Sequence, residues 1–203
     1  MNLPNKLTVA RCIMAVVFVG LMAFENLACY AVAYVVFAAA AITDHYDGRI
    51  ARERNLITNF GKLLDPVADK VLMLSAFLVM LPMEGLRIPP WAIMVILARE
   101  FVITGARSLA AAEGVVIPAN KWGKRKTVFQ MIYVFTFLFF AIVLLFLNTF
   151  ERVAAYVPGG VDAFTAYIGW ASFLSIIGVA AYTVYSGIQF ARVNWQLLRL
   201  DDL

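Results

Sequence analysis

The stretch DHYDGRIARERNLITNFGKLLDPVAD, residues 44–69, carries four aspartates in two closely spaced pairs. Asp44 and Asp47 are three residues apart, and Asp65 and Asp69 are four apart. Side chains at these spacings share one face of a helix. The first pair would do so if the apolar segment before it continues as a helix past Thr43. We therefore expect two helices that each present a pair of carboxylates.

The composition of the rest of the chain is that of a membrane protein. Of 203 residues, 63% are hydrophobic and only 15% are charged, whereas soluble domains average about 25% charged residues. A soluble enzyme, a disordered chain and a coiled coil are excluded on this ground. The net charge of +4 suits a protein that faces anionic lipids or anionic substrates. The two cysteines show neither a disulfide framework nor zinc-ligand spacing.

Six apolar segments predict an all-α integral membrane protein with six transmembrane helices, since a spanning helix needs about 17–25 residues. The third segment must extend backwards through Asp69 and Asp65 to be long enough, and Pro66 would then lie near the start of its helix. No linker or repeat divides the chain, so we expect one domain over residues 1–203. The segments are residues 7–24, 27–43, 71–83, 88–112, 127–150 and 163–191.

The positions of lysine and arginine predict the orientation of these helices. If the N-terminus is cytoplasmic, only Arg87 and Arg152 fall in outer loops, and nearly all other cations fall inside. Pro158-Gly159-Gly160 marks an outer turn. We expect a multi-pass protein of the cytoplasmic (inner) membrane, with both termini and residues 44–69 on the cytoplasmic side.

Carboxylates beside an apolar segment are costly, at roughly 2.5–3.5 kcal/mol each at the centre of a membrane. A cation would neutralise them, and an all-carboxylate set suits Mg²⁺, Mn²⁺ or Ca²⁺. Four carboxylates can hold two divalent ions of the kind that promote displacement at phosphorus. Arg52 lies between the pairs and could bind a phosphate bidentately. Gly48 and Gly61 allow a ligand to approach the backbone closely.

The complete pattern D-x2-D-G-x2-A-R-x8-G-x3-D-x3-D in residues 44–69 resembles the signature of the CDP-alcohol phosphotransferases. That resemblance implies a six-helix membrane fold, usually a homodimer, with a polar cavity open to the cytoplasm. It also implies a CDP-linked donor, a hydroxyl acceptor and release of CMP. By the same resemblance, Asp44, Asp47, Asp65 and Asp69 bind two Mg²⁺ or Mn²⁺ ions, and Asp69 is the general base. The expected nucleotide contacts are Asn5, Thr8, Gly48, Arg52, Thr58 and Gly61.

Four further stretches are similar to the members of this family that use CDP-diacylglycerol and glycerol 3-phosphate. They are NLPNKLTVAR (2–11), TNFGKLLDPVADK (58–70), AREFVITGAR (98–107) and GKRKT (123–127). A phosphorylated acceptor requires cations, and Arg107, Lys124 and Lys126 are expected at the cytoplasmic ends of the fourth and fifth helices. These three residues are the candidate acceptor-phosphate site.

Several alternatives remain open from the sequence. Asn5 and Thr8 could instead cap the first helix, and the lysines near 124 could bind anionic headgroups. The acceptor could be an inositol phosphate, serine or phosphatidylglycerol. An ion transporter is disfavoured because the fifth and sixth segments carry no charge. Arg99 and Glu100 lie deep in the fourth segment, where they either form a buried structural network or line the polar cavity. Each is expected to pair with a residue elsewhere, because adjacent residues do not face one another on a helix.

Overall fold

The computed structural model describes residues 3–53, 59–112, 114–115, 117–118 and 121–195. Within these ranges, the side chains of residues 3–4, 44–53, 59–66, 69, 121 and 151 are not described. All regular elements in the described part are helices, which confirms the all-α prediction. They are α1 (Leu3–Met22), α2 (Leu27–Glu53), α3 (Asn59–Met80), α4 (Pro90–Ala112), α5 (Lys121–Thr149), α6 (Glu151–Ala154) and α7 (Gly160–Asn194).

The helix boundaries follow local sequence signals. The Asn26 side chain accepts a hydrogen bond of 2.8 Å from the backbone N–H of Ala28 and so caps α2. Pro90 is the first residue of α4, where its missing N–H costs nothing. Gly159 and Gly160 have φ angles of 79° and 84°, which confirms the predicted turn before α7. The six long helices correspond to the six predicted segments, and the one-turn helix α6 was not predicted.

Among the residues that the structure describes, three helices contain stretches long and apolar enough to cross a membrane: Asn5–Met22, Trp122–Thr149 and Gly160–Asn194. Leu27–Thr43 and Lys70–Met80 are shorter apolar helices. Helix α4 is long enough to cross a membrane at 23 residues. However, every stretch of 18 residues within it contains three charged residues, Arg99, Glu100 and Arg107, so it does not count as apolar. The predicted count of six spans therefore stays a prediction.

The apolar surface of the helices supports a membrane location. Large hydrophobic side chains on the outside of the helices would be in contact with water in a soluble protein, whereas lipid tails would cover them without cost. Six side chains that are each more than 60% exposed illustrate this pattern: Val16, Val35, Met94, Val102, Tyr167 and Leu174.

The chain divides into two compact units. The first comprises Met1–Gly85 and Leu138–Thr165. In it, α1 packs against both α2 and α3. Phe18 of α1 and Phe37 of α2 are fully buried, with ring centroids 5.3 Å apart. The first unit therefore brings together the three helices that carry the N-terminal stretch and both aspartate pairs.

The second unit comprises Leu86–Phe137 and Ala166–Leu203. Within it, the Tyr133 hydroxyl on α5 and the Ser172 hydroxyl on α7 form a buried hydrogen bond of 2.9 Å. Ile103 and Ala110 of α4 pack with Phe190 of α7 in a small apolar cluster. Polar and apolar contacts thus join α4, α5 and α7 within this unit. The prediction of a single domain over residues 1–203 stays a prediction.

Candidate active site

The backbone of α2 and α3 places both aspartate pairs on helices. Helix α2 continues ten residues beyond Thr43 to Glu53, so Asp44 and Asp47 lie within it. Helix α3 begins at Asn59 and includes Asp65 and Asp69. The expectation of two helices, each with a pair of carboxylates at a spacing of one turn, is therefore confirmed for the backbone. The side chains of all four aspartates lie outside the described residues.

The prediction for Pro66 is wrong. Helix α3 starts at Asn59, so Pro66 is its eighth residue rather than one near its start. A proline at that depth lacks the N–H that would bond to the preceding turn. The sequence did not reveal the earlier start because Asn59, Phe60 and Gly61 carry no strong helix signal.

The structure describes only some of the residues that the sequence predicts to contact the nucleotide. Gly48 and Arg52 lie in α2 and Gly61 lies in α3, without described side chains, and Thr58 lies outside the described residues. Asn5 and Thr8 lie inside α1 and are buried, at 7% and 1% exposure. Because α1 starts at Leu3, neither residue precedes the helix, and the alternative that they cap it is wrong.

Arg11 continues the polar face of α1. Asn5, Thr8 and Arg11 follow one another at intervals of three residues, and the Arg11 side chain is only 1% exposed. The sequence identified Arg11 only as one of the cytoplasmic cations. Its burial in a helix that packs against α2 and α3 indicates a role in the interior of the first unit. A buried cation of this kind needs compensation by polar or charged groups.

The second unit contains a polar network that sequence reasoning described incompletely. The Arg99 guanidinium donates a hydrogen bond of 3.0 Å to Glu100 Oε1. It donates another, of 2.8 Å, to the Ser186 hydroxyl of α7. The ammonium of Lys126 on α5 also contacts Glu100 Oε1. The expectation that Arg99 and Glu100 find partners elsewhere is confirmed, but the assumption that these neighbours do not meet is wrong, because their long side chains reach each other.

The three candidate acceptor-phosphate residues, Arg107, Lys124 and Lys126, differ in environment. Lys124 is exposed. Arg107 is half-buried, donates a hydrogen bond of 3.2 Å to the carbonyl of Pro118 and lies 5.5 Å from the ring centroid of Phe190. Lys126 is 5% exposed and paired with Glu100. The headgroup-binding alternative suits the exposed Lys124 and does not suit the buried Lys126.

Gln130 was missed by the sequence reasoning. It follows Lys126 by one helical turn, is 3% exposed, and its Nε2 has no hydrogen-bond partner among the described residues. A buried donor without a partner is costly. The available signal was a glutamine inside an otherwise apolar segment, which is a feature of functional positions in membrane helices.

No three His, Cys, Asp or Glu side chains that the structure describes form a group able to hold a metal ion. The four signature aspartates lie outside that set. Their chemistry fits hard divalent cations, because carboxylate oxygens are the ligands that Mg²⁺ and Mn²⁺ prefer. The assignment of these aspartates as metal ligands therefore stays a prediction. The backbone of α2 and α3 is consistent with it.

Comparison with known proteins assigns the chain to a family. The family model for CDP-alcohol phosphatidyltransferase matches residues 1–174. A CDP-diacylglycerol–glycerol-3-phosphate 3-phosphatidyltransferase of Bacillus subtilis (strain 168) is 33% identical over 213 residues, covering 99% of both chains. A protein of the same name from Pseudomonas fluorescens is 34% identical over 209 residues, covering 99% of this chain and 94% of its own. One from Rickettsia typhi is 39% identical over 130 residues, covering 64% of this chain and 72% of its own. With its complete aspartate signature on α2 and α3, the chain belongs to the CDP-alcohol phosphatidyltransferase family.

Proposed function

We propose that the protein transfers the phosphatidyl group of CDP-diacylglycerol to glycerol 3-phosphate, giving phosphatidylglycerophosphate and CMP. The observation that carries this proposal is the similarity to relatives named for that reaction over 99% of the chain. The unbroken signature in residues 44–69 supports it, as does the packing of α1 against both helices that carry the aspartates.

The reaction exchanges one phosphorus–oxygen bond for another. The acceptor hydroxyl forms a bond to the phosphorus that carries diacylglycerol, and the bond from that phosphorus to the oxygen of CMP breaks. Asp69 takes the proton of the acceptor hydroxyl. For this role, the Asp69 carboxylate must lie within hydrogen-bond distance of that hydroxyl, because a general base acts at that distance. The leaving CMP keeps the bridging oxygen, so no further reactant is needed.

Asp44, Asp47, Asp65 and Asp69 would hold two divalent cations, Mg²⁺ or Mn²⁺. When bound, such ions neutralise the diphosphate of the donor and the charge that develops on CMP. The residues themselves orient the donor, and most of the catalytic effect of the site would come from positioning and charge neutralisation.

The CDP part of the donor would bind along the start of α1 and the signature helices. Asn5 and Thr8 offer buried polar side chains on α1. Arg52 supplies a planar cation for phosphate, Thr58 a hydroxyl, and Gly48 and Gly61 permit close approach of the backbone. Asn5 and Thr8 have the stronger support, because both are buried polar side chains on the helix that packs against α2 and α3.

The acceptor phosphate would bind to Arg107, Lys124 and Lys126. Among these, Lys126 has the strongest support, because it is a buried cation on α5, one turn from the buried amide of Gln130. A phosphorylated acceptor can use both an ammonium and an amide N–H as donors. An uncharged acceptor such as a polyol would not require a buried lysine.

We further propose a homodimer of six-span subunits in the cytoplasmic membrane, each subunit a single domain, with both termini and the active site on the cytoplasmic side. The support for the orientation is the concentration of lysine and arginine in the predicted inner loops. The spans beyond the three apolar helices would be α2, α3 and α4, whose charges would face the protein interior.

The acceptor is tested with purified protein in detergent, CDP-diacylglycerol and Mg²⁺, by following CMP release with four acceptors offered separately. We expect release with glycerol 3-phosphate and formation of a labelled lipid from it. Release only with inositol phosphate, serine or phosphatidylglycerol would overturn the acceptor assignment and keep the donor. No release with any acceptor, from protein with a cooperative thermal transition, would overturn the proposed function.

A further inference from the structure

Gln130 is a buried amide of the second unit for which the proposed reaction defines no contact. The residue is 3% exposed, and its Nε2 has no hydrogen-bond partner among the residues that the structure describes. Leaving a buried donor unpaired is costly. Gln130 also lies in one of the three apolar stretches that can cross a membrane, where polar side chains by default mark functional positions. A bound ligand would supply the partner that this amide lacks.

Two contacts between α5 and α7 bracket Gln130 along the helix. One residue before it, the ring of Phe129 meets the ring of Tyr182, with centroids 5.0 Å apart. Three residues after it, the Tyr133 hydroxyl is bonded to the Ser172 hydroxyl. Gln130 therefore lies at the level of the α7 segment between Ser172 and Tyr182.

That segment of α7 offers no hydrogen-bonding side chain at its buried, described positions. The buried residues in it are Ile176 and Ala180, which are both apolar. Ser175 is exposed and so belongs to the outer side of the helix. A buried water needs about two to four polar partners, and this segment supplies none. A bound molecule that carries its own polar group is therefore the better partner for the Gln130 amide.

The buried face of α5 changes from charged to apolar along the helix. Its members, at helical spacing, are Lys126, Gln130, Tyr133, Val134 and Phe137. Lys126 belongs to the proposed acceptor-phosphate site, and Gln130 lies one turn, about 6 Å, further along the axis. A small acceptor with its phosphate at the start of α5 can therefore reach Gln130 with its uncharged part.

The chemistry of an amide suits a hydroxyl better than a phosphate. A side-chain amide offers N–H donors and a carbonyl acceptor, and a hydroxyl likewise both donates and accepts. A phosphate dianion only accepts, and cations bind it more strongly than neutral donors do. Glycerol 3-phosphate has a reacting hydroxyl at C1, which the proposed reaction assigns to Asp69, and a second hydroxyl at C2. The C2 hydroxyl is the part of this acceptor that has no assigned partner.

We propose that Gln130 is a specificity-determining residue that forms a hydrogen bond with the C2 hydroxyl of glycerol 3-phosphate. This inference rests on the proposed function and deepens it, because it names the part of the acceptor that the amide recognises. An acceptor without that hydroxyl leaves the buried amide unpaired. Sites that pair a substrate hydroxyl in this way discriminate strongly against analogues that lack it.

The test compares glycerol 3-phosphate with 3-hydroxypropyl phosphate, which keeps the phosphate and a primary hydroxyl but lacks the C2 hydroxyl. Release of CMP from CDP-diacylglycerol gives kcat/KM for each acceptor. With wild type, we expect kcat/KM to favour glycerol 3-phosphate by about 5-fold to 150-fold, the range for leaving a buried polar group unpaired. Equal values of kcat/KM for the two acceptors would overturn the inference without the use of any variant.

Gln130→Met keeps the length of the side chain and removes the amide. We expect it to lower kcat/KM for glycerol 3-phosphate by about the same factor and to change kcat/KM for 3-hydroxypropyl phosphate by less than about threefold. Because both acceptors are measured on one preparation, the ratio of the two values does not depend on the fraction of active protein. A merely structural role, or a contact with the phosphate, would weaken both acceptors alike. An unchanged ratio would therefore overturn the inference.

Two further variants keep the test decisive. Gln189→Met makes the same chemical change at a partly exposed position on α7 and should keep the wild-type ratio. Loss of discrimination in this control as well would overturn the inference. If Gln130→Met does not fold, Gln130→Leu removes the amide with another strong helix former and should lower the ratio in the same way. Absence of lipid product from wild type with glycerol 3-phosphate would instead overturn the proposed function.

Discussion

The turn between α3 and α4 allows a quantitative prediction for Gly85→Ala. Gly85 has a φ of 86°, and a Cβ placed there would lie 2.8 Å from Leu144 Cδ1 and 3.0 Å from Thr165 Cγ2. The left-handed backbone costs a residue with a Cβ about 1–2 kcal/mol, and overpacking costs a further ~1–3 kcal/mol. We therefore expect Gly85→Ala to lower the free energy of unfolding by about 2–5 kcal/mol.

Two other glycines separate the contributions to this loss. Gly114 has a φ of 79°, and no atom of the described residues lies within 4 Å of an added Cβ, so Gly114→Ala should cost only the backbone part, about 1–2 kcal/mol. Gly20 lies in α1 with an ordinary φ and open space around it. Gly20→Ala should stabilise the protein by up to about 1 kcal/mol through helix propensity.

Thermal unfolding in detergent, followed by tryptophan fluorescence, measures this series. For a chain of about 200 residues, 1 kcal/mol changes Tm by roughly 2–4 °C, so Gly85→Ala should lower Tm by about 4–20 °C. The expected order of Tm is Gly20→Ala highest, then wild type, Gly114→Ala and Gly85→Ala. Equal Tm values for Gly85→Ala and Gly114→Ala would refute the close approach of Leu144 and Thr165 to the turn. A Gly85→Ala protein as stable as wild type would also refute the backbone conformation.

Two further predictions concern the second unit. Lys126→Met should raise the KM for glycerol 3-phosphate about 10-fold or more, because a charged hydrogen bond contributes about 1.5–3 kcal/mol. The control Arg125→Met removes an exposed cation and should leave steady-state kinetics unchanged. Equal effects of the two substitutions would contradict a specific role for the buried lysine. Tyr133→Phe should lower the free energy of unfolding by about 0.6–1.7 kcal/mol, the range for hydrogen bonds between membrane helices. Combining it with Ser172→Ala should add little, since both remove the same bond, and fully additive losses in Tm would argue against that bond.

The helical framework could be predicted from the sequence because it depends on local patterns. Apolar segments near 20 residues long, and turn residues such as Pro158-Gly159-Gly160, predicted six long helices and their order, although α2 extends ten residues beyond its apolar segment. The start of α3 was predicted too late, because Pro66 was given more weight than the residues before it. Propensity is a weak signal when packing decides where a helix begins.

The candidate site was predictable to different degrees. The aspartates were found from their residue type and from their spacing, because side chains three or four residues apart share one face of a helix. The Arg99–Glu100–Lys126 network could not be found in that way, because it joins α4 and α5 through contacts that no spacing encodes. The burial of Arg11 and Gln130 depends likewise on neighbouring helices, and only the presence of polar residues in apolar segments pointed to them.

The proposed function assigns phosphatidyl transfer from CDP-diacylglycerol to the signature aspartates. The most direct measurement compares wild type with Asp69→Asn and with Asp162→Asn, an exposed aspartate on α7 outside the signature. Labelled glycerol 3-phosphate, CDP-diacylglycerol and Mg²⁺ are supplied, with and without EDTA. We predict labelled phosphatidylglycerophosphate from wild type and from Asp162→Asn, and no product in EDTA. The rate of product formation should fall at least about 100-fold in Asp69→Asn, which is the lower range for removal of a general base. Undiminished product from folded Asp69→Asn protein would contradict the account.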